Sequence, residues 1–333
     1  MKSLTDNFGR THRDLRVSLT DRCSLRCQYC IPSDFASWIP ANELLTTKEL
    51  LLVISEAVRN GITGIRLTGG EPLLHPDIVQ IVREISELPS SPSISLTTNG
   101  IKLNELAAPL ADAGLVRVNI SLDTLSRETF KRLTFRDRID DVFRGIRAAK
   151  LAGLSPIKIN TVLMRGVNDG EATSLLEWAL SEGLSLRFIE QMPLDAAGLW
   201  DRKTMISADE IVALLSEKFE LSSVELRGSS PAEEFYVDRT RATVGIIGSV
   251  TRPFCGACDR LRLTSDGQLR SCLFAIDEID IRKVLRNNQL DEKSIRDQIS
   301  SCFERTVKSK LAGHGINEPL FISPPRPMSA IGG

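Results

Sequence analysis

Short apolar, β-branched runs recur along the first two thirds of the chain, at Leu15–Leu19, Gly64–Thr68, Ser93–Thr97, Val116–Leu122, Ile157–Leu163 and Leu184–Ile189. Stretches with helical apolar spacing lie between them: Thr46 to Asn60, Pro76–Leu88, Leu103–Ala113, Ile139–Leu151 and Glu171–Ser181. Thr46 followed by Glu49 is a capping pattern, and Gly61, Gly114, Gly153 and Gly183 stand where helices stop. Strand and helix alternating at this spacing predict parallel strands joined by right-handed crossovers. Six such units make a partial (βα)6 barrel, with the residues after each strand gathered on one face. The rhythm changes after Pro193, so the chain divides into residues 1–193 and an α+β extension, 194–333. In the extension Ser207 and Glu210 cap a further helix. Phe235–Val237, Thr243–Gly248 and Leu261–Thr264 read as strands, and Asp266–Gly267 as a hairpin turn before Leu269. The proline-rich end reads as extended.

Charge narrows the possibilities. The 333 residues carry 42 Lys+Arg against 43 Asp+Glu, a formal charge of −1, which excludes bulk attraction to nucleic acid or anionic membrane. No apolar run approaches the roughly 18 residues of a membrane span, and the N-terminus lacks an apolar leader. Seven cysteines without an export signal predict reduced thiols in the cytoplasm, and turn attention to metal or cluster ligation.

Six of those cysteines fall in two sets. Cys23, Cys27 and Cys30 share one short loop, three thiolates that can hold three irons of a [4Fe–4S] cluster and leave the fourth iron open. A zinc site that borrows a fourth ligand is the alternative. Cys255 and Cys258, with Cys272 thirteen residues on, form a second set of three for which structural zinc and an open cluster both remain candidates. Arg260 and Arg262, two apart in a strand, share a face beside it. Cys302 reads as a buried thiol, and His12, His75 and His314 as surface residues without metal-ligand spacing.

Gly69-Gly70-Glu71-Pro72 follows the second strand, where paired glycines admit close backbone approach and a carboxylate can receive an ammonium group. Arg16, Arg66 and Lys158 lie inside strands, where a buried cation needs a partner, and together they suggest an anion within the barrel. Thr97 and Ser121 stand at strand ends as hydrogen-bonding groups, and Asn99-Gly100 reads as a turn.

At these residues the chain resembles the radical S-adenosylmethionine superfamily, through its C-x-x-x-C-x-x-C loop and GGEP. Within it the chain is similar to the GTP 3′,8-cyclase family of molybdenum cofactor biosynthesis, through LRVSLTDRC, LTGGEPLL, TTNG, VNISLD, RFIEQMP, FCGACDRLRLTSDGQLRSCLF and the terminal Gly332-Gly333. Ser24 and His75 depart from the residues usual at their positions. The resemblance implies two [4Fe–4S] clusters, on Cys23, Cys27 and Cys30 and on Cys255, Cys258 and Cys272. It implies that S-adenosylmethionine contacts Tyr29, Gly70, Ser121 and Met192. GTP is implied at Arg16, Arg66, Thr97, Lys158, Arg260, Leu261 and Arg262, with the second cluster at the guanine edge and the tail glycines shaping the pocket. No side chain is implied as catalyst, since the bound cofactor supplies the radical that takes the ribose 3′ hydrogen and leads to bonding at guanine C8. An external one-electron reductant is implied, and the next enzyme of the pathway, cyclic pyranopterin monophosphate synthase, is a candidate partner; monomer and homodimer both remain open. Another radical enzyme with an auxiliary cluster, acting on peptides, would share the first loop and GGEP, and a zinc-stabilised binding module would share only the cysteines.

Overall fold

The computed structural model describes residues 3–31, 38–195, 198, 200–225 and 227–332. Strands β1 (Asp14–Ser18), β2 (Gly64–Thr68), β3 (Ser93–Thr98), β4 (Arg117–Ser121), β5 (Ile157–Val162) and β6 (Ser185–Ile189) pair in chain order, all parallel. Their alternation sorts the side chains. Leu15, Val17, Ile65 and Leu67 are fully buried in the core shared with the helices, while Arg16 and Arg66 turn to the opposite face.

The chain beyond residue 193 continues the same sheet at both edges. It adds β7 (Leu221–Ser223), β8 (Glu233–Val237), β9 (Thr243–Ile247), β10 (Arg260–Leu263), β11 (Gln268–Arg270) and β12 (Ile279–Asp280), giving the order β12-β11-β10-β1-β2-β3-β4-β5-β6-β9-β8-β7. Both β10, beside β1, and β9, beside β6, run parallel to their neighbours. Six βα units are therefore flanked by two more parallel strands, and antiparallel pairs finish each edge.

Ten helices accompany the sheet: α1 (Thr47–Arg59), α2 (Ile78–Ser86), α3 (Leu103–Asp112), α4 (Arg127–Thr134), α5 (Ile139–Leu151), α6 (Ala172–Ser181), α7 (Ala208–Ser216), α8 (Ile281–Leu285), α9 (Glu292–Lys308) and α10 (Met328–Ile331) are those among the described residues. The expected caps form, with reciprocal bonds between Thr46 and Glu49 and between Ser207 and Glu210. Gly114, Gly153 and Gly183 adopt the positive φ that ends a helix. One expectation is corrected. The proline-rich tail is not extended throughout, because Pro327 sits at the N-cap of α10, where a missing N–H costs nothing. No helix among the described residues is long and apolar enough to cross a membrane.

Candidate functional site

The first cysteine loop leaves β1 and presses against the GGEP segment that leaves β2. A Cβ on Gly69 would lie 2.4 Å from the carbonyl oxygen of Thr20, and one on Gly70 would lie 2.3 Å from that of Asp21. The backbone these glycines admit is therefore the chain's own, residues 20–22. Glu71 is corrected likewise. It is buried and takes Thr98 Oγ1 at 2.6 Å, Asn99 N at 2.7 Å and Leu73 N at 3.0 Å, so it braces the loop where an ammonium ligand was expected.

Donors already point at the first set of sulfurs. Leu25 N lies 3.4 Å and Asn99 Nδ2 3.7 Å from Cys23 Sγ, and the Ser329 backbone N–H donates to Cys30. Asn99 is thus more than a turn residue, and it also reaches Ser24 Oγ at 3.0 Å. Burial pushes the Cys23 thiol up to about 11 and Cys30 to about 12, and lifts Cys27 well above the usual range. Among the described residues no three His, Cys, Asp or Glu side chains converge on a single ion. Three cysteines on one loop with N–H donors to their sulfurs suit the ligation of an iron–sulfur cluster.

The second set, Cys255, Cys258 and Cys272, lines a cavity of about 220 Å³ enclosed by the strand ends. Burial acts to raise the Cys258 thiol, but Lys310 and Arg260 outweigh it and hold that thiol below its ordinary value. Lys310 Nζ stands 3.6 Å from Cys258 Sγ. Arg10 binds the carbonyls of Cys255, Leu311 and Ala312, and is itself fixed by Asp6 at 2.6 Å. The histidine expectation is corrected here. His12 is fully buried against Asp6, at 3.1 Å, and His314 lines the cavity, its ring tilted against that of Phe274. His12 thus holds Asp6, the partner of Arg10, while His314 packs on Phe274 and reaches the Ser249 carbonyl at 3.0 Å. Cys302 is buried in the main core as expected.

Cations form the floor of the cavity. Parallel register puts Arg66, Arg16 and Arg262 side by side across β2, β1 and β10. The Nε atoms of Arg16 and Arg66 are buried without a hydrogen-bond partner. Burial, then repulsion from Arg262 and Arg66, pulls the Arg16 pKa far down, and burial brings Arg262 to about 10. Such a row is stable only when something anionic answers it. Lys158 is two residues before Asn160, which lines the cavity, so it shares that face one step toward the strand's start. Burial, with Arg187 close by, lowers its pKa to about 8.

Arg187 is a cavity residue that sequence patterning missed, although it stands inside the apolar run of β6 as Arg16 and Arg66 stand in theirs, and that signal could have found it. It pairs with Glu234 at 3.2 Å, and Gly245, in register beside it, leaves it room: a Cβ there would meet Arg187 Cγ at 3.0 Å.

Tyr29, Thr97, Ser121, Met192, Arg260 and Arg262 all line the same cavity. The Tyr29 hydroxyl donates to Asp123 at 2.7 Å, and burial raises that carboxyl to about 6. Leu261 is different. Its side chain is fully buried in the main core, in register with Leu15, so only its main chain can face a ligand. Gly332 is brought against Ser18 and Thr68, and its carbonyl accepts from Arg262. Gly333 lies outside the described residues.

Two family models match the chain, "Radical SAM superfamily" over residues 17–179 and "Molybdenum Cofactor Synthesis C" over residues 184–314. A GTP 3′,8-cyclase of Streptomyces coelicolor is 52% identical over 99% of this chain and 96% of its own length. One of Rhodococcus opacus is 50% identical, over 99% and 93%. Among solved structures, Streptococcus suis SuiB bound to S-adenosylmethionine superposes with a TM-score of 0.61 at 14% identity, covering 96% of this chain and 77% of that one, a likeness of fold.

Proposed function

The chain belongs to the GTP 3′,8-cyclase family of the radical S-adenosylmethionine superfamily, and on that premise we propose that it cyclises GTP between ribose C3′ and guanine C8, the first step of molybdenum cofactor biosynthesis. Membership brings S-adenosylmethionine and one [4Fe–4S] cluster, and Cys23, Cys27 and Cys30 are the residues we assign to that cluster. When bound and reduced by one electron, that pair supplies a carbon radical able to abstract a ribose hydrogen. A second cluster is assigned to Cys255, Cys258 and Cys272. Functionally, residues 1–193 would serve the first cluster and cofactor, and residues 194–333 the second cluster and part of the GTP site.

The observation that supports this reading most is the row Arg66, Arg16 and Arg262, facing a cavity walled on one side by three cysteines. Its buried, unanswered guanidinium nitrogens suit a triphosphate, which offers many acceptor oxygens to such forks. Lys158 and Arg187 extend the positive floor, and Thr97 with the Arg260–Arg262 main chain complete the GTP contacts. Tyr29, held by Asp123, together with Gly70, Ser121 and Met192, would contact S-adenosylmethionine. Gly332 and Gly333 would cover the occupied pocket and keep water from the radical. An external reductant, hand-over of product to the next pathway enzyme, a monomer or homodimer, and a cytoplasmic setting belong to the same reading.

The test uses anaerobically reconstituted protein with S-adenosylmethionine and dithionite, with and without GTP. Expected is 5′-deoxyadenosine coupled to conversion of GTP into a product of equal mass. Deoxyadenosine formed at the same rate without loss of GTP would overturn the substrate.

A further inference from the structure

We propose that Lys310 is a positioning residue that sets the reduction potential of the second cluster, an inference that rests on the assignment of a cluster to Cys255, Cys258 and Cys272. Lys310 is 4% exposed, and its ammonium spends its three donors on Cys258 Sγ at 3.6 Å, the Arg260 carbonyl at 2.6 Å and the Ser271 carbonyl at 2.9 Å. Among the described residues no carboxylate lies within ion-pair distance of it. A buried cation without an anion is costly, and the negative groups beside it are the sulfurs of Cys258 and Cys272. Lys310 approaches these cysteines from a second, smaller cavity that it lines with Arg10 and Leu311, and it is absent from the lining of the main cavity. It is therefore placed to act on the cluster and not on the substrate.

The physical consequence has a sign. A fixed positive charge that also donates to a ligating sulfur stabilises the more negative, reduced state of the cluster. Removing it makes the cluster harder to reduce. The two carbonyls it binds lie on β10 and just after β11, so the same ammonium also ties β10, which carries Arg262 of the arginine row, to the end of β11.

The test uses the full chain with Cys23, Cys27 and Cys30 replaced by alanine, so that the second cluster is read alone. Iron per chain and the midpoint potential, followed by electron paramagnetic resonance, are measured for this parent and for Lys310→Met, Lys310→Gln and Lys310→Arg. Expected is iron retained in Lys310→Met, with its reduced-to-oxidised ratio at the parent's midpoint lowered about tenfold, equivalent to about 59 mV for one electron. Lys310→Arg should recover most of the shift. A parent without iron would remove the cluster assignment and this inference together. Iron retained in Lys310→Met at an unchanged potential would overturn this inference alone. If Lys310→Met loads no iron, Lys310→Gln decides: a lowered potential, or iron held only by Lys310→Arg, upholds the role of charge. Iron lost from all three folded variants would mean that the hydrogen bonds to the carbonyls, not the charge, are what matters, and would overturn it.

Discussion

Gly70 lies so close to Asp21 that a single added carbon would sit 2.3 Å from the Asp21 carbonyl oxygen, with the Arg22 carbonyl oxygen at 2.4 Å. Gly70→Ala must therefore push residues 20–22 outward, and Cys23 follows them. The variant is expected to lose the first cluster and retain the second, so about half of the parent's iron remains. An iron assay with the paramagnetic resonance spectrum checks this, and full iron with normal S-adenosylmethionine cleavage would count against the packing argument.

The arginine row predicts opposite effects on folding and on binding. Arg16 is buried, repelled by Arg262 and Arg66, and its Nε has no partner. Arg16→Met should raise the thermal midpoint of the ligand-free chain while weakening GTP binding about 10- to 100-fold, the loss of roughly 1.5–3 kcal/mol for a charged hydrogen bond. Calorimetry and a binding titration measure the two. A midpoint that falls would mean that Arg16 is already satisfied without ligand.

Lys158 gives the pH dependence. Its folded pKa, near 8, lies below the ordinary lysine value of 10.5, chiefly because it is buried. The unfolded chain thus holds this proton more tightly, and the stability associated with the neutral amine, present above about 10.5, is lost as pH falls through about 8. Triphosphate binding needs the charged form, so GTP affinity should fall as pH rises through 8. Lys158→Arg should flatten that decline, because a guanidinium stays charged. Equal pH profiles for the two proteins would exclude Lys158 from the phosphate site.

Glu190 ties the end of β6 to two distant segments. Its oxygens accept Ala208 N at 2.6 Å, Val250 N at 2.7 Å and Thr251 N at 2.9 Å, as well as the Thr251 hydroxyl. Glu190→Gln turns an amide N–H₂ toward these donors and should cost about 3 kcal/mol, read from urea denaturation. A loss under about 0.5 kcal/mol, the scale of a surface change, would show that the backbone donors find other partners.

Local pattern carried most of the barrel. The runs at Gly64–Thr68 and Ile139–Leu151 coincide with β2 and α5, and the Thr46 cap starts α1, because strand alternation and helix capping are written within a few residues. Three arginine and lysine positions on the inner face were legible too, since a cation inside an apolar strand stands out. Arg187 carries the same signal in β6 but shows its role only through its packing, and His12 was not legible. Their meaning depends on Glu234 and Gly245 in one case, and on Asp6 and the loop at Cys255 in the other, which chain distance separates from any local motif. GGEP was legible as a site but not in its manner of working, because only the packed loop reveals that the glycines make room for backbone. The placement of β9 and β10 at the edges of the first six strands had no sequence signature, since both read as ordinary extension strands.

That placement sets a schedule for synthesis. β1 is complete at Ser18, yet its outer neighbour β10 begins at Arg260, about 240 residues later. At about 5–20 residues per second, the ribosome leaves that edge without its partner for roughly ten to fifty seconds. An unpaired strand edge invites pairing with other chains, so the nascent protein is most open to aggregation in this interval. The cysteine loop that leaves β1 is made at its beginning, while Cys255, Cys258 and Cys272 emerge at its close. Iron delivered early would find one set of ligands on a half-built wall; delivered late, it would find both.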